Sequence, residues 1–185
     1  MITHWCAERI DYDGSQLRAH WILRRFAIAG DALVAFRGAC DVLDAEMADL
    51  ADLGGPGIRG SAMLHFLMER FDDDGMRCAV LRQRLLSALA TELLVERGHR
   101  ILRRGDDLWF DGRKLSISIA TRSAVSTLFH FALNVNNRGT PVPTAALDEL
   151  DVDPVEFADE LLARAAAEEE SMRIARAKVR AKEEA

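Results

Sequence analysis

Residues 104–137 read RGDDLWFDGRKLSISIATRSAVSTLFHFALNVNN. Two carboxylates, Asp106 and Asp107, open an apolar run, and Asp111-Gly112 supplies the dipeptide that favours a tight hairpin turn. Arg113 and Lys114 then start a second run, and a third ends in Asn134 and Asn136. Together with 99–103, the pieces 107–110, 114–121 and 126–135 are expected to form an antiparallel meander. A lysine opening such a strand can hold an anionic group, and asparagines two apart on a strand share a face from which they can fix a polar ligand.

Outward from this segment, 76–98 carries apolar residues at helical spacing, from Ala79 and Val80 to Leu93 and Leu94, with Gly98 where a C-cap glycine belongs. Residues 63–71 (MLHFLMERF) fit a strand or a helix by period, and strand is the reading taken. Nearer the start, 2–10 reads as a strand. The Asp13-Gly14-Ser15 turn is expected to cap a helix reaching about Phe26, with Leu17, Trp21 and Ile22 on one face. A further strand covers 31–36, and Gly54 to Gly57 mark a loop. Pro141 and Pro143 mark another. Pro154 begins a C-terminal helix over 154–185, with an end that frays. The fold class expected is α+β, a mostly antiparallel sheet packed with helices, as one domain over 1–185.

The net charge of -6 argues against a general phosphate-backbone binder, so nucleic acid is not an expected partner. No apolar run approaches the ~20 residues of a membrane span, and 1–6 lacks the layout of a secretory signal. The expected location is the cytoplasm. Cys6, Cys40 and Cys78 are odd in number and widely spaced, with no CxxC pair, which suggests reduced thiols and no structural metal. Of 24 basic residues only Lys114, Lys178 and Lys182 are lysines. Lys114 is thus the single lysine of the body, and a site that needs a compact point charge would resist exchange to arginine.

The central segment resembles the biotin protein ligases. There an Asn-Asp-Leu strand leads to Gly-Arg-Lys-Leu-Ala-Gly-Ile, and a later strand reads Gly-Ile-Gly-Ile-Asn-Val-Asn. Here Asp106-Asp107-Leu108, Gly112-Arg113-Lys114-Leu115-Ser116 and Phe131-Ala132-Leu133-Asn134-Val135-Asn136 follow in that order. The lipoate ligases share the middle element. Over nearly its whole length the chain also resembles family 366 of the domains of unknown function, related to that ligase fold. The stretches that carry this are QLRAHWI (16–22), GDALVAFRGACDV (30–42), MLHFLMERFD (63–72), LRQRLL (81–86) and RKLSISIAT (113–121).

The resemblance implies a ligase-like fold, Lys114 as the catalytic contact to an activated acyl-phosphate, and Asp107 beside a nucleotide and metal. ATP with Mg²⁺ is the cofactor it implies, and a homodimer the assembly. Asp106, Asp107, Arg113, Ser116, Asn134 and Asn136 are the ligand-binding candidates it marks. The sequence departs from the ligase pattern at Asp106 (Asn there) and at Ile117, His130 and Ala132 (Gly there). Side chains added at such glycines reshape a pocket. Residues 54–60 (GGPGIRG) are the nearest match to an adenylate loop.

Three functions stay open: an acyl- or nucleotidyl-transferring enzyme binding a small carboxylate or nucleotide-like ligand, a non-catalytic binder of such a ligand, and an interaction module acting through the C-terminal helix. Each candidate has a plain alternative. Lys114 can be a solvated turn lysine, and His130 and His65 satisfied core histidines. His20 and Arg18 can line the pocket mouth or merely follow helix amphipathicity, and Asp72, Asp73 and Asp74 read as a solvated turn more readily than as metal ligands.

Overall fold

The computed structural model describes residues 1–72 and 75–180; Asp73, Asp74 and Lys182 lie outside them. In chain order the elements are β1 (Ile2–Arg9), α1 (Trp21–Phe26), β2 (Ala32–Asp41), β3 (Arg59–Arg70), α2 (Gly75–Glu96), β4 (Leu102–Arg104), β5 (Asp107–Phe110), β6 (Arg113–Lys114), β7 (Ser116–Arg122), β8 (Thr127–Asn134) and α3 (Pro154–Ala177). One-turn 3-10 helices sit at Asp44–Glu46 and Leu147–Leu150. The main sheet has the order β1-β2-β3-β8-β7, and a small sheet has the order β4-β5-β6. Among the described strands, β1 and β2 pair in parallel and the other strand pairs are antiparallel, with isolated parallel bridges at Tyr12–Cys40 and Lys114–Thr144.

The central strands are largely apolar because both faces of the sheet are covered, with His65 and Glu69 of β3 and His130 of β8 among the buried polar exceptions, and successive side chains leave on opposite faces. Leu33 and Ala35 of β2, Leu64 and Phe66 of β3, and Phe129, Phe131 and Leu133 of β8 pack with Leu86, Leu93 and Leu94 of α2 and Phe157 and Leu161 of α3. Their neighbours Ala32, Val34, Phe36, Leu67 and Ala132 face the other way, toward Tyr12 and Ile22. No described helix is long and apolar enough to cross a membrane.

Several boundaries differ from the sequence reading. The helix expected from residue 13 begins only at Trp21. The Gln16 side chain bonds back to Asp11 and Asp13, and His20 adopts a left-handed φ of 63° with its N–H donated to the buried Glu69. Those bonds hold 13–20 as turns.

The expected single meander is instead divided between two sheets. At Leu115 the chain leaves β6 and joins the main sheet as β7: the Leu115 N–H still reaches the Leu108 carbonyl at 2.8 Å, while the Ser116 hydroxyl takes the Leu108 N–H at 2.9 Å. The Asp111-Gly112 turn is present, with φ of 52° and 72°, the two positive values that a type I′ hairpin requires. β2 and β3 are longer than expected, so Arg59 and Gly60 of the glycine-rich stretch already belong to β3. Asp153 caps α3 through the N–H groups of Val155 and Glu156, ahead of Pro154 in the first turn, and the helix is described to Ala177.

Candidate functional site

On the face of the main sheet away from α2 and α3 lies a cleft of about 190 Å³. Val42, Ile58, Met63 and Ile117 give it apolar walls, and Lys114, Arg59, Tyr12, His130 and Asn134 bring polar atoms to it. The segments 46–49 and 57–59, together with 140–144, form its rim. A mostly apolar concavity with a few convergent polar groups is the usual form of a small-molecule site.

Lys114 ends β6 where the chain changes sheets, so its backbone is fixed from several directions. Its carbonyl accepts from the Ala145 N–H at 3.0 Å, and the buried Asn134 amide donates to the Ala145 carbonyl at 3.0 Å and to the Lys114 carbonyl at 3.4 Å. The ammonium Nζ lies 2.9 Å from Asp107 Oδ1. Burial raises the Asp107 carboxyl above its ordinary range, and the Lys114 charge opposes that rise. Asp107 does not border the cleft; it holds the lysine that does.

The other candidates divide in the same way. Ser116 borders the cleft, with its hydroxyl engaged by Leu108 N–H. Asp106 accepts from Gln83 at 2.8 Å and pairs with Arg84 at 3.3 Å. Arg113 forms a two-toothed pair with Glu149 at 3.0 and 2.6 Å, which ties β6 to the 3-10 helix. Asn136 accepts from the Ser61 hydroxyl and the Arg138 N–H, both at 3.0 Å. His20 stacks on Phe71. Arg18 reaches the cleft only through Glu46, a lining residue whose carboxylate it holds at 2.8 Å. Lys114, Ser116, His130 and Asn134 are therefore brought together, and the other six are not.

Several lining residues carry polar groups that the sequence reading did not single out, among them the carboxylates of Glu46, Asp49 and Asp52, and two bear on the site most directly. Arg59 has one hydrogen bond, to the Pro56 carbonyl at 3.3 Å, and no ion pair among the described residues. An arginine without a nearby carboxylate, just ahead of an apolar strand, was the available signal. Tyr12 is the chain's single tyrosine and is nearly wholly buried, with burial pushing its phenol far up. It lies flat on His130, ring centroids 3.8 Å apart.

Comparison with known proteins gives the fold a context. The protein MJ0805 of Methanocaldococcus jannaschii, itself uncharacterised, is 32% identical over 155 residues, covering 80% of this chain and 70% of its own. A protein of unknown function from Pyrococcus horikoshi is 43% identical with a TM-score of 0.93, covering 98% of both chains. A mutant biotin protein ligase from Aquifex aeolicus, in complex with biotin, is similar at 17% identity and a TM-score of 0.56, covering 90% of this chain and 69% of that one. Ta0514 of T. acidophilum, assigned as a lipoate protein ligase and solved with bound lipoic acid, is similar at 15% identity and a TM-score of 0.55, covering 91% and 86%. At these identities the ligases share the α+β fold, which alone transfers no activity. Residues 1–180 match the family described as a domain of unknown function, DUF366, and the chain belongs to that family.

Proposed function

We propose that the cleft binds a small carboxylate or nucleotide-like ligand whose anionic group meets Lys114, in a ligase-like protein that transfers an acyl or nucleotidyl group. The observation that carries this reading is the Lys114 ammonium. It belongs to a residue that lines the cleft, is braced by a half-buried carboxylate at 2.9 Å, and sits on a backbone pinned by Asn134. An ammonium so placed stabilises phosphate or carboxylate charge most strongly where water is excluded. Arg59 is the second cation of the lining, which also holds the carboxylates of Glu46, Asp49 and Asp52.

ATP with Mg²⁺ fits these residues as far as its phosphates go, with Arg59 and Lys114 as the groups that would hold them. Mg²⁺ in nucleotide sites is carried largely by the phosphates with one or two carboxylates. The nucleotide would supply the activation of a carboxylate, while the chain's own part is to bind and orient the anion. A second reading, a binder without activation chemistry, is favoured by one observation: Asp106 and Asp107, the carboxylates marked by the ligase resemblance, are both spent on Arg84, Gln83 and Lys114 and stand clear of the cleft, whose own carboxylates are Glu46, Asp49 and Asp52.

The test is a thermal-shift screen of wild type and Lys114→Ala against ATP with Mg²⁺, biotin, lipoate and short fatty acids. A ligand at ~100 times its Kd adds about 2.7 kcal/mol of stability. The expected result is a rise in melting temperature that Lys114→Ala abolishes. Pyrophosphate release in the presence of the stabilising carboxylate then selects the enzyme over the binder. A rise that survives Lys114→Ala undiminished would overturn the role given to this lysine.

A further inference from the structure

β3 and β8 place two histidines in contact on the cleft side of the sheet. His65 Nδ1 lies 3.0 Å from His130 Nε2, and His65 Nε2 lies 3.4 Å from the Gly38 carbonyl oxygen. Both rings are buried, and burial holds both below the ordinary imidazole range, His65 at about 4, so both are neutral near pH 7.

The hydrogen bonds fix the tautomers. A carbonyl oxygen only accepts, so the His65 Nε2 that faces it carries the proton. In a neutral ring His65 Nδ1 is then an acceptor, and the bond at 3.0 Å requires His130 to donate from Nε2. His130 Nδ1 is left without a proton.

No hydrogen bond to that nitrogen occurs among the described residues. His130 is almost wholly buried, yet it lines the cleft, so the cleft is the space from which a partner for Nδ1 can come. The supports are rigid. Tyr12 lies parallel to the His130 ring within 13°, and Phe36 stacks on His65. Gly38 is where 10–11 cross the sheet so closely that a Cβ would stand 1.8 Å from the Ile10 carbonyl oxygen.

We propose that His130 offers Nδ1 to the cleft as a fixed hydrogen-bond acceptor, and so selects ligands whose uncharged end carries an N–H or O–H donor. This rests on the reading that the cleft is a ligand site with its anion contact at Lys114, and gives the opposite, neutral end of the ligand its chemistry. A head group without a donor leaves Nδ1 stripped of water and unpaired, which costs affinity.

The test uses the full chain with ¹⁵N-labelled histidine and a two-bond proton–nitrogen correlation spectrum. The expected pattern is Nε2–H at both His65 and His130, with Nδ1 bare at both. Titration with 2-pyrrolidinone, which carries one N–H, is expected to move His130 Nδ1 and to bind about 2- to 10-fold tighter than N-methyl-2-pyrrolidinone, the range of one net hydrogen bond. His130→Phe, which keeps an aromatic ring under Tyr12, is expected to erase the difference. A proton on His130 Nδ1, an equal response to the two lactams, or no response of His130 to either overturns the proposal. The wild-type spectrum decides this even where the variant folds poorly. Both probes are uncharged, so the outcome does not depend on whether Lys114 holds an anion.

Discussion

The two faces of the main sheet are built from the same strands and differ in kind. Toward α2 and α3, β3 and β8 present Leu64, Phe66, Phe129, Phe131 and Leu133, a hydrocarbon surface closed by helices. Toward the cleft, the alternate positions of those strands present His65, His130 and Asn134, with Tyr12 laid over the two histidines. Helix packing alone would be served by apolar residues on both sides. Two neutral imidazoles joined to each other and to a backbone carbonyl stabilise no better than a well-packed apolar pair, because each polar atom must be stripped of water first. The helix side is hydrocarbon, while the cleft side sets polar groups among the apolar Val34, Phe36, Met63, Leu67 and Ala132, and the proposed recognition role rests on those polar groups.

Four measurements sharpen or break that division. Phe131→Ala removes the centre of the helix-facing core and is expected to cost about 3–5 kcal/mol in urea unfolding. A cost under ~1 kcal/mol would contradict the role given to that face. On the cleft face the cost should appear as pH dependence. Both histidines have folded-state pKa values below the unfolded value of 6.5. The unfolded chain therefore binds protons first, and stability present above pH 6.5 falls as pH drops toward 4. Each group contributes up to ~1.4 kcal/mol per pH unit, so urea unfolding at about pH 5 against pH 7 should show a loss of about 2–4 kcal/mol from the pair. The depressed carboxyls titrate below this window. His65→Phe with His130→Phe should flatten the profile between these pH values.

Gly38→Ala is expected to cost about 1–3 kcal/mol, since the added methyl must push back the 10–11 crossing. The single tyrosine reports whether Tyr12 moves, through its near-ultraviolet circular dichroism. Smallest in stability is Lys114→Ala. The Lys114–Asp107 pair is partly exposed, and its loss should change unfolding by under ~1 kcal/mol while removing ligand stabilisation. A variant that is both stable and unresponsive to ligand is the signature of a recognition residue.

Much of the scaffold was legible because its signals are local. Pro154, Asp111-Gly112 and the helical period of 76–98 specify a helix start, a hairpin turn and a helix through nearest-neighbour physics. The division of the meander was not legible, because it depends on one residue, Leu115, whose N–H stays with β5 while Ser116 turns into the main sheet. Nor was the late start of α1, since the partner that holds His20 is Glu69, distant in sequence and buried.

At the site, Lys114 stood out by its rarity. Asp106, Arg113 and Asn136 were marked by resemblance, and the structure gives each a partner clear of the cleft: Gln83 and Arg84, Glu149, and Ser61. Neither the histidine pair nor the Tyr12 stack leaves a pattern in sequence, as each joins residues of different strands or loops.

The most direct test of the cleft as the ligand site is lysine acetylation followed by mass spectrometry, with Lys178 beyond α3 as the internal control. With the stabilising ligand at saturation, acetylation of Lys114 should slow several-fold while that of Lys178 is unchanged. Equal rates at Lys114 with and without the ligand would contradict the account.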